Sequence, residues 1–205
     1  MTRITRRRTA RTYGSPLRAQ QAEGTRERIL DATVRVMARG IAFVSVPQVA
    51  REAGVSVPTV YRHFATKRDL LGAVYAHSVR RAGLEELVIP RSMDELRGGL
   101  RAYFERTDSF GDLARAAMAS PAAEESRRIN MPDRVAIFRR IADSIEPKPS
   151  KVDRDRIARL LVILTASSAV RLWRDQLGSS VEEAADDVDW VLRAVIASAT
   201  SRNGS

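Results

Sequence analysis

SVPQVAREAGVSVPTVYRHF, residues 45–64, is the stretch of this chain that decides its fold. Apolar residues at helical spacing predict two short helices in it, about 46–53 and 56–64. Gly54 lies between them, and glycine readily adopts the positive φ that a tight turn after a helix requires. The stretch therefore predicts a helix–turn–helix.

Residues 1–80, which contain this stretch, also carry the whole net charge of the chain. They hold 15 Lys and Arg against 5 Asp and Glu, whereas residues 81–205 hold 20 of each, and the total is +10. A compact two-helix element within a basic segment predicts double-stranded DNA as the partner.

Residues 1–23 carry six arginines and one acidic residue without apolar periodicity. We expect a disordered basic arm there. It is either a solvated leader or an arm that lies on phosphates or enters a minor groove.

Helical spacing continues from Thr25 almost to the C-terminus, and no segment alternates with a period of two. Capping boxes, in which two side chains three positions apart bond backbone N–H groups at a helix start, are predicted at Ser45/Gln48, Thr66/Asp69, Ser92/Glu95 and Ser180/Glu183. The connections are expected at Pro90, Pro121, Pro132, Pro147 and Pro149. The sequence predicts an all-α fold of about nine helices, near 25–39, 46–53, 56–64, 67–83, 93–107, 111–119, 133–145, 152–177 and 181–199.

Residue types that carry most enzyme and metal chemistry are scarce in this chain. It has no cysteine, and its histidines are His63 and His77, so we expect no disulfide and no metal site. Neither a glycine-rich nucleotide loop nor a Ser/His/Asp set stands out, so we expect no cofactor and no enzyme. The longest apolar run, near Leu160–Val170, is shorter than the roughly 20 residues of a membrane span. We expect a cytoplasmic protein without membrane contact.

The last two predicted helices are apolar on more than one side, which predicts burial on more than one side. They either complete the core of the monomer or form a four-helix interface between two copies. Pairing two half-sites increases affinity for DNA, which favours a homodimer. The predicted interface consists of Leu160, Leu164, Ser168, Trp190, Val191 and Val195.

The middle helices contain most of the remaining large apolar side chains, namely Tyr103, Phe104, Phe110, Met118, Met131, Phe138 and Trp173. These residues form either an ordinary core or the lining of an effector pocket, because Met and aromatic residues serve in both. The candidate polar groups beside them are Arg101, Asp108 and Arg171. This composition favours an apolar or aromatic effector.

The pattern IL…G…SV…VA…AGVS…TVYRHF..K..LL, over about residues 26–72, resembles the N-terminal domain of the TetR family of transcriptional repressors. Its most specific part is the combination of AGVS with YRHF..K. The resemblance implies a DNA-binding domain over 24–72 and a ligand-binding and dimerisation domain over 73–200. It also implies a homodimer on a (pseudo)palindromic operator, released when a ligand enters the C-terminal domain.

The resemblance assigns roles to individual positions. Phosphate contacts are implied for Tyr61, His63, Lys67 and, as an alternative to a base edge, Thr59. Base readout is implied at Val57, Pro58 and Arg62. The helix-start residues of the DNA-binding set are Ser45 and Ser56.

Two of these positions have a second interpretation. Arg62 is the strongest candidate for base readout, because its fork matches O6 and N7 of guanine, and the alternative is a phosphate contact. Tyr61 lies on the apolar stripe with Val60 and Phe64, so it is either a phosphate contact or a core residue.

Two other positions depart from the family pattern. Pro58 replaces a small residue and adds an apolar ring able to meet a thymine methyl group, and Val44 stands where threonine is usual. We therefore expect a base preference of its own for this chain.

Together these features predict a ligand-responsive transcriptional regulator whose partners are double-stranded DNA, a small effector and a second copy of the chain. We expect a repressor, and activation is the alternative, because the sign depends on where the operator lies. One alternative is a constitutive DNA-binding protein whose C-terminal core is filled. The other is an enzyme built on a helical bundle. A cavity of several hundred cubic ångströms separates the first two.

Overall fold

In the computed structural model, residues 16–40, 43–83 and 90–201 are described, and within these ranges the fold is all-α, as predicted. The helices are α1 (Pro16–Ala38), α2 (Val46–Ala53), α3 (Val57–His63), α4 (Lys67–Arg81), α5 (Met93–Asp108), α6 (Asp112–Ala119), α7 (Pro121–Asp143), α8 (Lys151–Leu164), α9 (Ser167–Arg171), which continues as a π-helical turn (Leu172–Gln176), and α10 (Val181–Ser201). None of the helices in these ranges is long and apolar enough to cross a membrane.

The helix–turn–helix forms as its capping residues predict. Ser45 Oγ accepts the Gln48 backbone N–H, and Gln48 Oε1 accepts the Ser45 N–H at 3.0 Å, so the predicted box is complete. Gly54 ends α2 at a φ of 66°, where a Cβ would be strained. Ser56 then caps α3 by accepting the Thr59 N–H at 3.2 Å. Local chemistry thus determines both ends of the turn.

Two of the other three predicted capping boxes are confirmed. Thr66/Asp69 and Ser180/Glu183 bond reciprocally. In the third, Ser92 accepts the Glu95 N–H, but the Glu95 carboxylate accepts from the Arg91 N–H instead of the Ser92 N–H. At the start of α5, one of the two hydrogen bonds of the capping box is therefore present.

The expected disordered arm is wrong for residues 16–23, because α1 begins at Pro16. Proline is favoured in a first helical turn, and the segment after it, LRAQQAE, consists of good helix formers. These turns are exposed, so they lack the apolar periodicity by which a helix is recognised. Residues 1–15 lie outside the described residues.

The connection expected at Pro132 is also wrong, because α7 runs through it from Pro121 to Asp143. Proline inside a helix removes one hydrogen bond and normally bends or ends the helix. Here α7 is held by packing on both sides of the proline, through Ala122, Ala123 and Ser126 before it and Phe138, Ile141 and Ala142 after it. Tertiary packing overrides the local preference.

The helix predicted over 152–177 is interrupted at Thr165. Its Oγ1 donates to the Leu161 carbonyl at 2.7 Å, and its φ and ψ of −102° and 14° leave the α-helical range. The Thr165 carbonyl then accepts from two side chains of other helices, Tyr103 and Arg134. Bonds from and to Thr165 thus replace part of the helical ladder at this point.

The buried apolar residues form two clusters. The first joins α1 to α4 and includes Ala117, Ala122 and Ala123 from α6 and α7. The second lies among α5 and α7 to α10. The first core therefore extends beyond the domain boundary expected at residue 72, because small alanines let α6 and α7 approach α1 and α4 closely.

Candidate nucleic-acid interface

Helix α3 has a buried side and an exposed side. Val60 and Phe64 are 1% and 3% exposed in the first core, whereas Tyr61 is 48% exposed and Arg62 and Pro58 lie on the surface. Tyr61 is thus not a core residue, because the 100° step from Val60 carries it out of the interior. The exposed side presents an aromatic hydroxyl, a guanidinium and a proline ring together.

The N-terminal end of α3 is shaped by its cap. The hydroxyls of Ser56 and Thr59 lie 2.8 Å apart and share a hydrogen bond. Val57 is half-buried and packs against the first core. Of the three positions implied in base readout, Pro58 and Arg62 are therefore exposed, and Val57 is accessible only in part.

Two ion pairs connect helix α2 to the end of helix α1. Arg35 Nε donates to Glu52 Oε1 at 2.7 Å, and Arg39 bonds the other carboxylate oxygen. Hydrogen bonds from Arg35 and then Arg39 lower the pKa of Glu52. The two arginines balance the charge of the Glu52 carboxylate and hold α2, the helix that precedes α3, against α1.

His63, at the end of α3, is half-buried, and its Nε2 is buried without a hydrogen-bond partner among the described residues. Burial lowers the pKa of His63, and the charges of Arg62 and Arg26 lower it further, whereas Glu23 opposes them. The Arg26 guanidinium lies 4.9 Å from the centre of the Phe64 ring. Burial and the two arginine charges therefore favour the neutral form of the His63 imidazole.

Lys67 begins α4, directly after α3. Its Nζ is 3.9 Å from a carboxylate oxygen of Glu125 on α7, and both side chains are partly exposed. A pair at this distance and exposure contributes little to stability. The Lys67 ammonium group can therefore leave Glu125 for a stronger anion.

A second candidate site is a cavity of about 330 Å³ among α4, α5 and α7. Of the seven predicted pocket residues it is lined by Tyr103 and Phe138. Phe104 is fully buried in the second core, and Phe110, Met118, Met131 and Trp173 are half-buried outside the described lining. The cavity face of α5 carries Leu96, Leu100 and Tyr103, and the step from Tyr103 to Phe104 turns Phe104 away from it.

The polar candidates near the cavity also differ from those expected. Arg101 pairs with Glu105 and Glu182, and Asp108 accepts from Arg174 Nε at 3.1 Å. Arg171 lies outside the described lining, although its Nε is buried without a partner among the described residues. The lining instead contains Tyr75, Arg80, Asn130, Asp133, Arg134 and Thr165.

No α4 residue is among the predicted pocket residues, because these were chosen from the large apolar side chains of the helices that follow α4. Tyr75, Ala76 and Val79, at helical spacing, were the available signal. Burial raises the pKa of the neighbouring Tyr103 hydroxyl. That hydroxyl stays protonated and donates to the Thr165 carbonyl at 2.7 Å.

Helix α4 connects the cavity to the helix–turn–helix. Ser126 Oγ of α7 donates to the Leu71 carbonyl at 2.8 Å, and Asn130 Nδ2 donates to the Gly72 carbonyl at 3.1 Å. On the α1 side, His77 Nε2 lies 2.7 Å from Asp31 Oδ1. Helix α4 is therefore bonded to α7 beside the cavity and to α1 in the first core.

The predicted dimer residues lie on α8, α9 and α10. Trp190 is 70% exposed and Ser168 is also exposed, while Leu160, Leu164, Val191 and Val195 are half-buried. Ile163, near Leu164 on α8, is 63% exposed. Large apolar groups are thus left in solvent on the two closing helices of the single chain.

Comparison with known proteins matches a family model to the N-terminal part of the chain. Residues 29–74 match the family of bacterial regulatory proteins called the tetR family. The HTH-type transcriptional regulator SrpR of Pseudomonas putida is 46% identical over 59 residues, 28% of this chain and 28% of SrpR. An uncharacterised HTH-type transcriptional regulator of Mycobacterium tuberculosis is 30% identical over 115 residues, 54% of this chain and 49% of that protein. The matches thus span about a quarter to a half of these relatives.

Two solved structures share the fold over most of the chain. NalD, the secondary repressor of the MexAB-OprM multidrug efflux pump in Pseudomonas aeruginosa, is 17% identical with a TM-score of 0.58, covering 85% of this chain and 96% of NalD. A TetR transcriptional regulator from Rhodococcus sp. RHA1 is 21% identical with a TM-score of 0.50, covering 85% and 98%. The helix–turn–helix segment is thus similar to the tetR family of bacterial regulatory proteins, and most of the chain shares the fold of these two solved structures.

Proposed function

We propose that this chain is a transcriptional repressor that binds a palindromic DNA operator as a homodimer. A small, largely apolar effector enters the cavity and releases the operator. The observation that carries the proposal is the exposed side of α3, where Tyr61 and Arg62 project from a helix whose other side is buried. An exposed guanidinium on a helix that fits a major groove is suited to guanine recognition.

The homodimer is supported by two exposed stripes with complementary charge. On α8, Val152, Arg156, Arg159 and Ile163 follow one another at helical spacing, and all four are exposed. On α10 the same spacing joins Glu183, Asp187, Trp190 and Ala194, again all exposed. In a two-fold dimer, every contact between two different residues occurs twice. If α8 of one copy contacts α10 of the partner, then α10 of the first copy contacts α8 of the partner. Packing α8 against α10 of the partner would pair arginines with carboxylates around Ile163 and Trp190.

Release by an effector is supported by the cavity and by α4. The volume of about 330 Å³ is at the small end of the roughly 300–1,000 Å³ range of ligand pockets. Four of the lining residues belong to α4, namely Tyr75, Ala76, Val79 and Arg80. A ligand that fits only when α4 has moved would favour the displaced helix, and with it a different separation of the two copies of α3.

Selection of bound sequences from a random pool of duplexes, repeated with extracted metabolites, tests the proposed function. We expect enrichment of an inverted repeat by the protein alone and loss of that enrichment with the effector. Enrichment unaffected by any extract would favour the constitutive DNA-binding protein. No enrichment at all would exclude both.

The Lys67→Ala variant is expected to bind all duplexes more weakly by a similar factor, because a phosphate contact carries no base information. For each lost contact, the slope of log affinity against log salt concentration should fall by about 0.9. Titrations of selected and scrambled duplexes at several salt concentrations measure both quantities. Arg140→Ala, which removes an exposed cation on α7, is the matched control. A loss confined to the selected duplex would contradict the phosphate role.

His63 gives a prediction for pH. Its pKa is lowered in the free protein, which favours the neutral ring at pH 7, whereas a nearby phosphate would favour the protonated ring. DNA binding then takes up a proton, and affinity should rise as pH falls below about 7, by up to about tenfold for each unit that DNA raises the pKa. The rise should be absent in His63→Gln.

As pH falls, His63 is expected to lower the stability of the fold, whereas it raises the affinity for DNA. Because the folded pKa of His63 is lowered, the unfolded chain protonates first, and this contribution to stability is lost as pH falls below 6.5. Circular dichroism at each pH separates the two effects. Equal pH dependence of DNA binding in wild type and His63→Gln would contradict the assigned contact.

A further inference from the structure

We propose that the effector carries a carboxylate on a small apolar body, and that Arg134 binds this carboxylate inside the cavity. The inference rests on the proposed function, since it specifies the ligand of the same cavity. It adds an anionic head group to the largely apolar effector expected from the side chains.

The cavity walls are mainly apolar, through residues such as Leu96, Leu100, Ile137 and Phe138. They fit a hydrocarbon or aromatic body, which gains affinity by leaving water. The polar lining residues that have hydrogen bonds can be compared by what those bonds leave unused.

Three polar groups of the lining are already satisfied within the protein. The Tyr103 hydroxyl donates to the Thr165 carbonyl at 2.7 Å. Asn130 Nδ2 donates to the Gly72 carbonyl at 3.1 Å and to the Ser126 carbonyl at 2.8 Å. Thr165 Oγ1 donates to the Leu161 carbonyl at 2.7 Å. These three side chains therefore already donate their hydrogen bonds within the protein and do not require an acceptor from a ligand.

Arg134 differs from them. Its Nη2 donates to the Thr165 carbonyl at 2.7 Å and to Thr165 Oγ1 at 3.1 Å, and its Cζ lies 5.4 Å from the centre of the Phe138 ring. Its Nε is buried and has no hydrogen-bond partner among the described residues. The guanidinium is therefore held on one side and has an unused donor on another.

An arginine in a protein is always charged, and its N–H groups only donate. A buried N–H without an acceptor is unfavourable, so a ligand that brings an acceptor to Arg134 would relieve this cost. Carboxylates give the strongest hydrogen bonds to guanidinium. A hydroxyl or a carbonyl would satisfy the donor without balancing the charge.

The charge of the lining also favours one negative group. Its described residues include two arginines, Arg80 and Arg134, and one carboxylate, Asp133. Within the described ranges neither arginine has a carboxylate within 4.0 Å, so Asp133 does not neutralise Arg134. A monoanion would balance the excess of one positive charge, and a cationic ligand would increase it.

The test uses full-length protein and probes matched in size, 4-phenylbutyrate, 4-phenylbutanol and 4-phenylbutylamine, with octanoate and octanol as a second, non-aromatic pair. Calorimetric titration measures their affinities. We expect each carboxylate to bind at least about tenfold more tightly than its alcohol, as a charged hydrogen bond predicts. The amine should bind most weakly. An alcohol or amine equal to its carboxylate would overturn the inference, since the charge of Arg134 would then not select the ligand.

Variants locate the preference in Arg134. In Arg134→Gln the preference for carboxylate over alcohol should fall to about onefold, while the affinity for the alcohol changes little. Arg134→Lys keeps the charge and should retain part of the preference, and Arg140→Gln, at an exposed site of α7, should retain all of it. Circular dichroism verifies folding, and the wild-type probe series decides the question if Arg134→Gln does not fold.

Failure of this inference can be distinguished from failure of the proposed function. An alcohol that releases the selected duplex as well as its carboxylate would keep the effector mechanism and exclude the anionic head. Binding by none of the probes would also count against the inference. The proposed DNA binding depends only on the duplex selection and would be unaffected.

Discussion

Replacing Trp190 by glutamate is expected to give a folded monomer that binds the operator much more weakly than the wild type. Trp190 is 70% exposed in the single chain, so the substitution removes no contact from the monomer core. In a two-fold dimer it removes two buried indoles and places two carboxylates in an apolar contact. Loss of an aromatic anchor costs about 2 kcal/mol or more at each symmetric site.

Sedimentation equilibrium measures the mass, and fluorescence anisotropy on the selected duplex measures the affinity. We expect the wild type to be a dimer and Trp190→Glu a monomer whose operator affinity is lower by about a hundredfold or more, because two sites of about 2 kcal/mol together weaken dimerisation by about a thousandfold. Leu113→Glu, which also adds a carboxylate at an exposed apolar residue, is the control on α6. A Trp190→Glu variant that remains dimeric would show that α10 does not form the interface.

Arg62→Ala is expected to weaken operator binding by about 1–3 kcal/mol and to relax the preference for guanine at one position of each half-site. Arg62 is exposed on α3, and no ion pair within the described residues competes for it. The affinity should therefore depend on the base that its guanidinium meets.

Arg62→Lys separates readout from charge. Lysine keeps the positive charge but lacks the rigid fork that bonds O6 and N7 together. If Arg62 reads a base, Arg62→Lys should also lose the guanine preference, while its salt dependence stays near that of the wild type. If Arg62 holds a phosphate, Arg62→Lys should behave like the wild type on every duplex, and the readout role would be excluded.

The parts of the fold that follow from local chemistry could be predicted from the sequence. The ends of α2 and the start of α3 depend on Ser45, Gln48, Gly54 and Ser56, whose side chains or φ act within four residues. The fold class, the helix–turn–helix and the position of α10 were predictable for the same reason.

Features that depend on distant partners could not be predicted. Pro132 suggests a break, but packing on both sides keeps α7 continuous. Thr165 suggests nothing unusual, yet α8 ends there, and its carbonyl accepts from the distant side chains of Tyr103 and Arg134. The first turns of α1 were missed for a different reason. They are exposed, so their helix rests on residue preference and leaves no apolar pattern in the sequence.

The same distinction applies to the candidate sites. Placement of Tyr61 and Arg62 on the exposed side of α3 follows from helical geometry. The cavity lining requires the crossing of α4, α5 and α7, which residue type alone does not encode. Arg134 shows this most clearly, because its importance lies in one unpaired nitrogen.

The central claim is that two copies of α3, related by a two-fold axis, lie in major grooves of one duplex. Dimethyl sulfate methylates N7 of guanine, which faces the major groove, so protection from it reports on that groove directly. On the selected duplex we predict protected guanines in two symmetric half-sites, one helical turn or a multiple apart, with the protection lost in Arg62→Ala. Unprotected guanines, or one unsymmetric protected patch that Arg62→Ala leaves unchanged, would contradict the account.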